Sequence, residues 1–270
     1  MLPMIASQAI CYASALALLW LASTGAQAAP PCPGNTDALA TERVLTVDAA
    51  STPRVGRKHF PQTLPLAPNE VVLTFDDGPE PGSTSRVLDA LKRECVRASF
   101  FLLGRAALAH RELARRELAE GHTVAHHTFS HALLDRMPLE TAVAEIDRGF
   151  AGVDGALYGK GSGGVPATPF FRFLGFASSP ALLERLERRG IVVFGADLWA
   201  SDWNRMTPEQ ELKLVLKRIE AARGGIVLFH DTKLQTAAML PNLLRALKTG
   251  GYRVVHVASP PRQSGAAAAQ

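Results

Sequence analysis

The chain has 270 residues, 47% of them hydrophobic and 20% charged, an ordinary globular balance with length enough for one large core. Its formal net charge of +4 is spread without a dense run of Lys or Arg, which argues against a nucleic-acid binder. A mildly basic surface would suit an anionic wall polymer.

The first charged side chain is Asp37. An apolar run over 9–22, then Ser23-Thr24-Gly25 and Ala26-Gln27-Ala28, reads as a secretory leader over 1–28 with cleavage after Ala28. No Lys or Arg precedes the run. Membrane contact is expected only if this segment stays uncleaved, and the run is short for a span. The expected location is secreted or periplasmic. Cys11 leaves with the leader; Cys32 and Cys95 then face an oxidising compartment, where they either pair or remain two thiols. Their spacing is not that of zinc cysteines.

Residues 29–68 read as a Pro-, Thr- and Ala-rich arm with one strand-like piece at 44–47. From residue 69 to 258 the pattern alternates. Strands are predicted at 71–75, 99–103, 123–125, 170–173, 191–196, 226–229 and 252–257. Helices are predicted at 85–93, 105–120, 138–153, 180–189, 208–222 and 237–248, several with cap signals such as Ser179 and Thr207 before Pro. A Gly-rich loop is predicted at 155–168, and a disordered tail at 259–270. Continuously apolar strands alternating with helices imply a parallel sheet covered by helices. About seven such units suit an α/β fold of the (β/α)-barrel kind, distorted or incomplete, better than an open sheet.

Polar residues gather just after the strand ends, where such folds build their sites. Asp76 and Asp77 follow the first barrel strand, and Gly78-Pro79 stop it. Neighbouring strand residues point to opposite sides, so one carboxylate can ligate a metal while the other stays free as a base. A capping Asp-Asp turn is the bland alternative. His127 and His131, four apart, can meet one ion if the segment turns helically. With Asp77 they form a two-His-one-carboxylate set of the hydrolytic zinc kind, which Fe, Co or Mn could also fill. His126 would point away. His230, after the strand at 226–229, is a candidate acid. Arg172 is a charge inside Phe170-Phe171-Arg172-Phe173, and Asp76 is its natural partner.

Thr74-Phe75-Asp76-Asp77-Gly78-Pro79, His127-Thr128-Phe129-Ser130-His131 and Leu228-Phe229-His230-Asp231 occur in an order and spacing that resembles the polysaccharide deacetylases, the family-4 carbohydrate esterases with the NodB homology domain. The resemblance covers about 69–257. It implies a distorted (β/α) barrel that removes acetyl groups from N-acetylglucosamine-containing polysaccharide with one divalent metal. It also implies Asp76 as base, Asp77, His127 and His131 as ligands, His230 as acid, and Arg172 as the holder of Asp76.

Two departures stand out. Leu174 occupies the Pro position of the third motif; Gly175 follows and is expected to serve an oxyanion through its N–H. In the fourth motif an Asp is expected four residues before Trp203, where Trp199 stands. Asp197, two earlier, is expected to replace it beside His230, with Asp202 left to orient the Trp203 loop. Trp199 and Trp203 are candidates for sugar stacking, or core aromatics. The competing readings are a glycan-binding pseudoenzyme of the same fold and a phosphatase-type hydrolase. The second would want a carboxylate at 78, where Gly stands.

Overall fold

The computed structural model describes residues 32–159 and 166–261. The expected leader, part of the Gly-rich loop and residues 262–270 of the tail lie outside the described residues. Strands and helices follow in the order β1 (Thr41–Thr46), β2 (Arg54–Val55), β3 (Glu70–Asp76), α1 (Thr84–Arg93), β4 (Ser99–Leu102), α2 (Gly104–Ala109), α3 (Arg111–Ala119), β5 (Thr123–His126), α4 (Leu139–Tyr158), β6 (Phe170–Phe171), α5 (Pro180–Arg188), β7 (Val192–Phe194), β8 (Leu198–Trp199), α6 (Pro208–Ala222), β9 (Gly224–His230), α7 (Leu234–Thr249) and β10 (Arg253–Ala258).

The described strands form one parallel sheet centred on β3, all seven of whose residues are buried. β3 pairs with β9 along its whole length, with β4 near its C-terminal end and with β10 near its N-terminal end. From β4 the sheet continues through β5, β6 and β7 to β2; from β9 it continues to β8. No ladder joins β8 to β7 or β2 among the described residues, so the barrel is incomplete. Because every ladder is parallel, all the strand exits share one rim.

Period-two alternation divides the strands between two cores. On β3, Val71, Leu73 and Phe75 join the layer between sheet and helices, with Leu88 of α1, Ile219 of α6 and Leu244 of α7. Val72 faces the barrel interior with Phe101, Ala125, Phe170, Val192, Ile226 and Val255. Thr74 and Asp76 share the Val72 face, and both are buried. That face carries Asp76 to the barrel mouth.

The segment read as an arm belongs to the sheet. β1 lies parallel to β10, and Val47, Val55 and Leu64 fill the barrel interior. Its β-branched residues could complete an edge, which no local pattern could place. Arg43 forks onto Glu70 (3.0 and 2.7 Å), and Cys32 is disulfide-bonded to Cys95. The helix expected at 105–120 is two helices that bend at His110. α4 runs on to Tyr158, past the predicted end at 153, and stops at Gly159 in the left-handed region (φ 76°). Among the described residues no helix is long and apolar enough to cross a membrane.

Candidate active site

At the rim, Asp76 and Asp77 leave β3 in different directions. Asp76 Oδ1 accepts from Arg172 Nη1 (2.7 Å). The Arg172 guanidinium is fully buried and hydrogen-bonded through all three of its nitrogens. Nη1 also donates to Thr74 Oγ1 (2.9 Å), Nη2 to the Gly195 carbonyl (2.9 Å) and Nε to the Phe194 carbonyl (3.3 Å), and the group lies 4.1 Å over the Phe101 ring. A buried cation held by four oxygens and a ring face fixes the carboxylate beside it; removing either partner strands a buried charge, at a cost of ~3–5 kcal/mol.

Asp77 sits in the left-handed region (φ 79°), a conformation uncommon outside Gly and Asn, and this turns its side chain to the other side of the rim. The following Gly78 is required sterically: a Cβ there would fall 2.0 Å from Asp231 Oδ2. Asp231 is buried, and desolvation pushes its carboxyl up to about 7.

His127 and His131 do reach Asp77, but not by a helical turn. Thr128 and His131 are both left-handed (φ 67° and 71°), and the loop folds back so that His131 N–H meets Thr128 Oγ1 (3.1 Å). Ser130 is tied to Glu145 of α4 through both its N–H and its hydroxyl. Gly149 of α4 permits this approach, since a Cβ would lie 2.6 Å from the Thr128 carbonyl carbon. His126 points away, to the Thr168 carbonyl (3.1 Å) and the Phe150 ring.

The Asp77, His127 and His131 donor atoms lie within 4.8 Å of one another. His127 Nδ1 is 2.7 Å from the Arg172 carbonyl, which only an N–H can satisfy, so in the neutral ring Nε2 carries a lone pair. Burial pulls His127 down, which favours that neutral form. Its lone pair then faces Asp77 Oδ1 at 3.6 Å, and His131 Nε2 lies 3.0 Å from the same oxygen. The His127 lone pair and the Asp77 oxygen repel each other without a cation between them, and the set fits a divalent ion bound by two imidazoles and a carboxylate. Burial raises the Asp77 carboxyl, but the His131 hydrogen bond and the positive charge that the imidazoles of His127, His230 and His131 carry when protonated hold it well below the usual carboxylate range.

Opposite, His230 Nε2 is 3.9 Å from Asp77 Oδ2, while Nδ1 is 2.7 Å from Asp202 Oδ1. Asp202 also accepts the His230 backbone N–H through Oδ2 (2.7 Å). Asp197, the residue expected to back His230, lies elsewhere. Its oxygens accept from Arg57 N–H (2.9 Å), Thr63 Oγ1 (2.7 Å) and Ile226 N–H (2.8 Å), at the start of β9. Four steps along the strand take Ile226 to His230, roughly 13 Å. Asp197 therefore pins the N-terminal segment to the barrel floor, and Asp202 is the carboxylate on the imidazole.

Asp76, Asp77, His127, His131 and His230 open onto a cavity of about 460 Å³ whose walls include Phe173, Leu174, Gly175, Phe176, Trp199 and Trp203. Gly175 is left-handed (φ 53°) in the turn at Leu174–Phe176 and lines the cleft. Trp203 is 52% exposed and stands edge-on to His230 (ring centroids 6.0 Å). Trp199 is partly exposed, stacked at 6.3 Å with Phe176. The sequence reading missed His59, which stacks on Phe176 at 3.6 Å, and Lys58, whose Nζ lies 5.1 Å over Trp199. Nothing local marks them: they stand over a hundred residues before the rings they touch. Burial, and then the charges of Arg172 and Lys58, lower His59 to about 4, so its ring is neutral at physiological pH.

Residues 64–158 match the family described as polysaccharide deacetylase. The chain is 32% identical over 222 residues to the peptidoglycan-N-acetylglucosamine deacetylase PgdA of Listeria monocytogenes, covering 80% of this chain and 45% of that protein. It thus spans less than half the length of that relative. A peptidoglycan-N-acetylglucosamine deacetylase of Bacillus cereus is 31% identical over 195 residues, with 69% of this chain and 85% of that one covered. Among solved structures, the peptidoglycan deacetylase of Bdellovibrio bacteriovorus superposes with a TM-score of 0.71 at 31% identity, covering 81% of this chain and 59% of that one. A family 4 carbohydrate esterase from Streptomyces lividans, in complex with acetate, gives a TM-score of 0.58 at 28% identity, with coverage of 71% and 92%.

Proposed function

Since the chain belongs to the polysaccharide deacetylase family, we propose that it hydrolyses the N-acetyl groups of N-acetylglucosamine-containing cell-wall polysaccharide, peptidoglycan before chitin, outside the cytoplasm. The observation that carries this reading is the division of labour around one cleft. A carboxylate clamped by Arg172 and an imidazole clamped by Asp202 flank a separate carboxylate–imidazole–imidazole set.

Asp77, His127 and His131 would hold a divalent ion, zinc by donor type, with cobalt, manganese or iron as substitutes. Bound there, such an ion would supply Lewis-acid polarisation of an acyl oxygen and would lower the pKa of a water. Asp76 accepts the water's proton at Oδ2, the oxygen that Arg172 leaves open. His230 gives a proton from Nε2 to the departing amine, its Nδ1–H fixed on Asp202. The Gly175 turn borders the same cleft as Asp77, His127 and His131, which suits its N–H as an oxyanion donor. The rings of Trp199, Trp203, Phe176 and His59 offer flat apolar faces to sugar rings.

Acetate release from peptidoglycan and from N-acetylated chitin oligomers tests this, with the chain stripped of metal and then reloaded with zinc, cobalt or manganese. Release should return on loading. His127→Ala should lose bound metal, by elemental analysis, together with activity. A metal-loaded wild type that frees no acetate from any of these polymers overturns the reading. A normal metal content in His127→Ala overturns the ligand set.

A further inference from the structure

Behind His230, away from the cleft, a line of polar groups runs into the protein. The two His230 donors both end on Asp202. Asp202 Oδ2 has a further neighbour, Thr236 Oγ1 near the start of α7, at 2.9 Å. The same hydroxyl lies 2.9 Å from Glu211 Oε1, in the first turns of α6. Asp202, Thr236 and Glu211 are all buried.

The protons can be counted. Thr236 has one hydroxyl proton and two carboxyl neighbours, so it cannot donate to both. One of the two carboxyl groups must carry a proton and donate it. Asp202 is ill placed to do so, because Nδ1–H of His230 already points at Oδ1 and the His230 amide at Oδ2. Glu211 has Thr236 as its hydrogen-bond partner, and its Oε2 has none among the described residues. An ionised Glu211 would be a buried charge facing a second carboxylate through a single hydroxyl. The arrangement closes if the proton lies on Glu211 Oε1, runs to Thr236 Oγ1, and the Thr236 proton runs to Asp202 Oδ2.

We propose that Glu211 is a neutral acid which, by donating to Thr236, turns that hydroxyl onto Asp202 and so fixes the carboxylate that orients His230. Glu211 and Thr236 are then positioning residues for the proton donor; this rests on the catalytic reading of His230 above. Burial supports the assignment. Desolvation pushes Glu211 up to about 7, with the Thr236 hydrogen bond and the His230 charge opposing it and the Asp202 charge adding to it. The position of Glu211 near the N-terminus of α6 favours the charged form, but a helix-end dipole is weaker than the cost of an unpaired buried carboxylate.

Infrared spectroscopy of the full chain decides where the proton is. The difference between wild type and Glu211→Gln at neutral pH should show loss of one protonated-carboxyl C=O band and no loss of carboxylate bands. Gln keeps an N–H donor toward Thr236, so metal-loaded Glu211→Gln should keep kcat within about twofold of wild type. Thr236→Val, which cuts both links, should lower kcat about tenfold at unchanged KM, and Thr236→Ser should restore it. Loss of a carboxylate band instead, or a kcat in Glu211→Gln as low as in Thr236→Val, would overturn the inference while wild-type acetate release leaves the proposed function standing. A wild type that releases no acetate would remove the function, yet the infrared difference would still locate the proton. If Thr236→Val does not fold, Glu211→Gln decides through both readouts.

Discussion

His230 can act as an acid only if it is protonated when the amine departs. Burial opposes the imidazolium, but the hydrogen bond and charge of Asp202, then the charges of Asp76 and Asp77, raise it to about 9. A divalent ion on Asp77 would take back part of that rise. The sign for Asp202→Asn follows: removing the largest raising influence lowers the pKa, so activity should fall away at lower pH on the alkaline side. A pH–rate profile of kcat/KM for Asp202→Asn, set beside Asp197→Asn, checks this. The limb should move down in the first and stay put in the second; an unmoved limb in Asp202→Asn removes His230 as the acid. Asp76→Asn should keep metal, at a stability cost for the buried Arg172 charge it leaves unbalanced, while acetate release falls by ~10²–10⁴-fold. Turnover near the wild-type rate would take Asp76 out of the chemistry. Asp76, Asp77, His127, His131 and His230, which the structure gathers at one cleft, were legible as candidates because each sits in a short contiguous motif at a strand exit. The sequence reading misplaced the partner of His230 for a definable reason. Parity along a strand puts Asp197 and Trp199 on one face, but says nothing of height, and height decides which end of β9 a side chain meets.

The elements most altered from expectation are those whose role depends on distant partners. β1 was legible as a strand-like piece at 44–47, but nothing local shows that it joins the barrel beside β10; β2 is two residues long and carries no periodicity of its own. In the structure the segment 32–66 is bound at several points: Cys32 on Cys95, β1 on β10, Arg43 on Glu70, and Arg57 and Thr63 on Asp197. Asp197→Asn therefore becomes a stability variant. It exchanges charge-assisted hydrogen bonds for neutral ones and turns an amide N–H toward other donors, at a cost of ~1–3 kcal/mol. For a domain of this size each kcal/mol lowers Tm by ~2–4 °C. Calorimetry should show that loss, and a Tm equal to wild type would dismiss the anchor. The loop at 127–131 teaches the same lesson at shorter range. The spacing of His127 and His131 was legible, yet the left-handed turns at Thr128 and His131 depend on Gly149 of α4 making room, and a spacing rule cannot contain that.

At the scale of the molecule, the alternation of apolar strands with capped helices was enough to predict a parallel (β/α) barrel, since burial on both faces of a sheet leaves few other architectures. The shape of the cleft was not legible. One wall comes from the N-terminal segment through Lys58 and His59, the other from the β6 and β8 loops. His59→Ala removes one ring from the stack at about 0.5–1.5 kcal/mol, so KM for a polymeric substrate should rise by ~2–10-fold with kcat held. An unchanged KM would mean that sugar does not reach this wall. The pairing of β1 with β10 has a further consequence, one of timing. Thr41 lies beside Val254, so one of the first barrel strands to be synthesised finds its partner only when the last strand has been made. Closing so long a loop makes the final step of folding slow and dependent on the whole chain. In a chain that acts outside the cytoplasm, as proposed, the barrel stays open until its last strand has been made. A fragment ending before β10 should remain protease-sensitive, however complete its motifs.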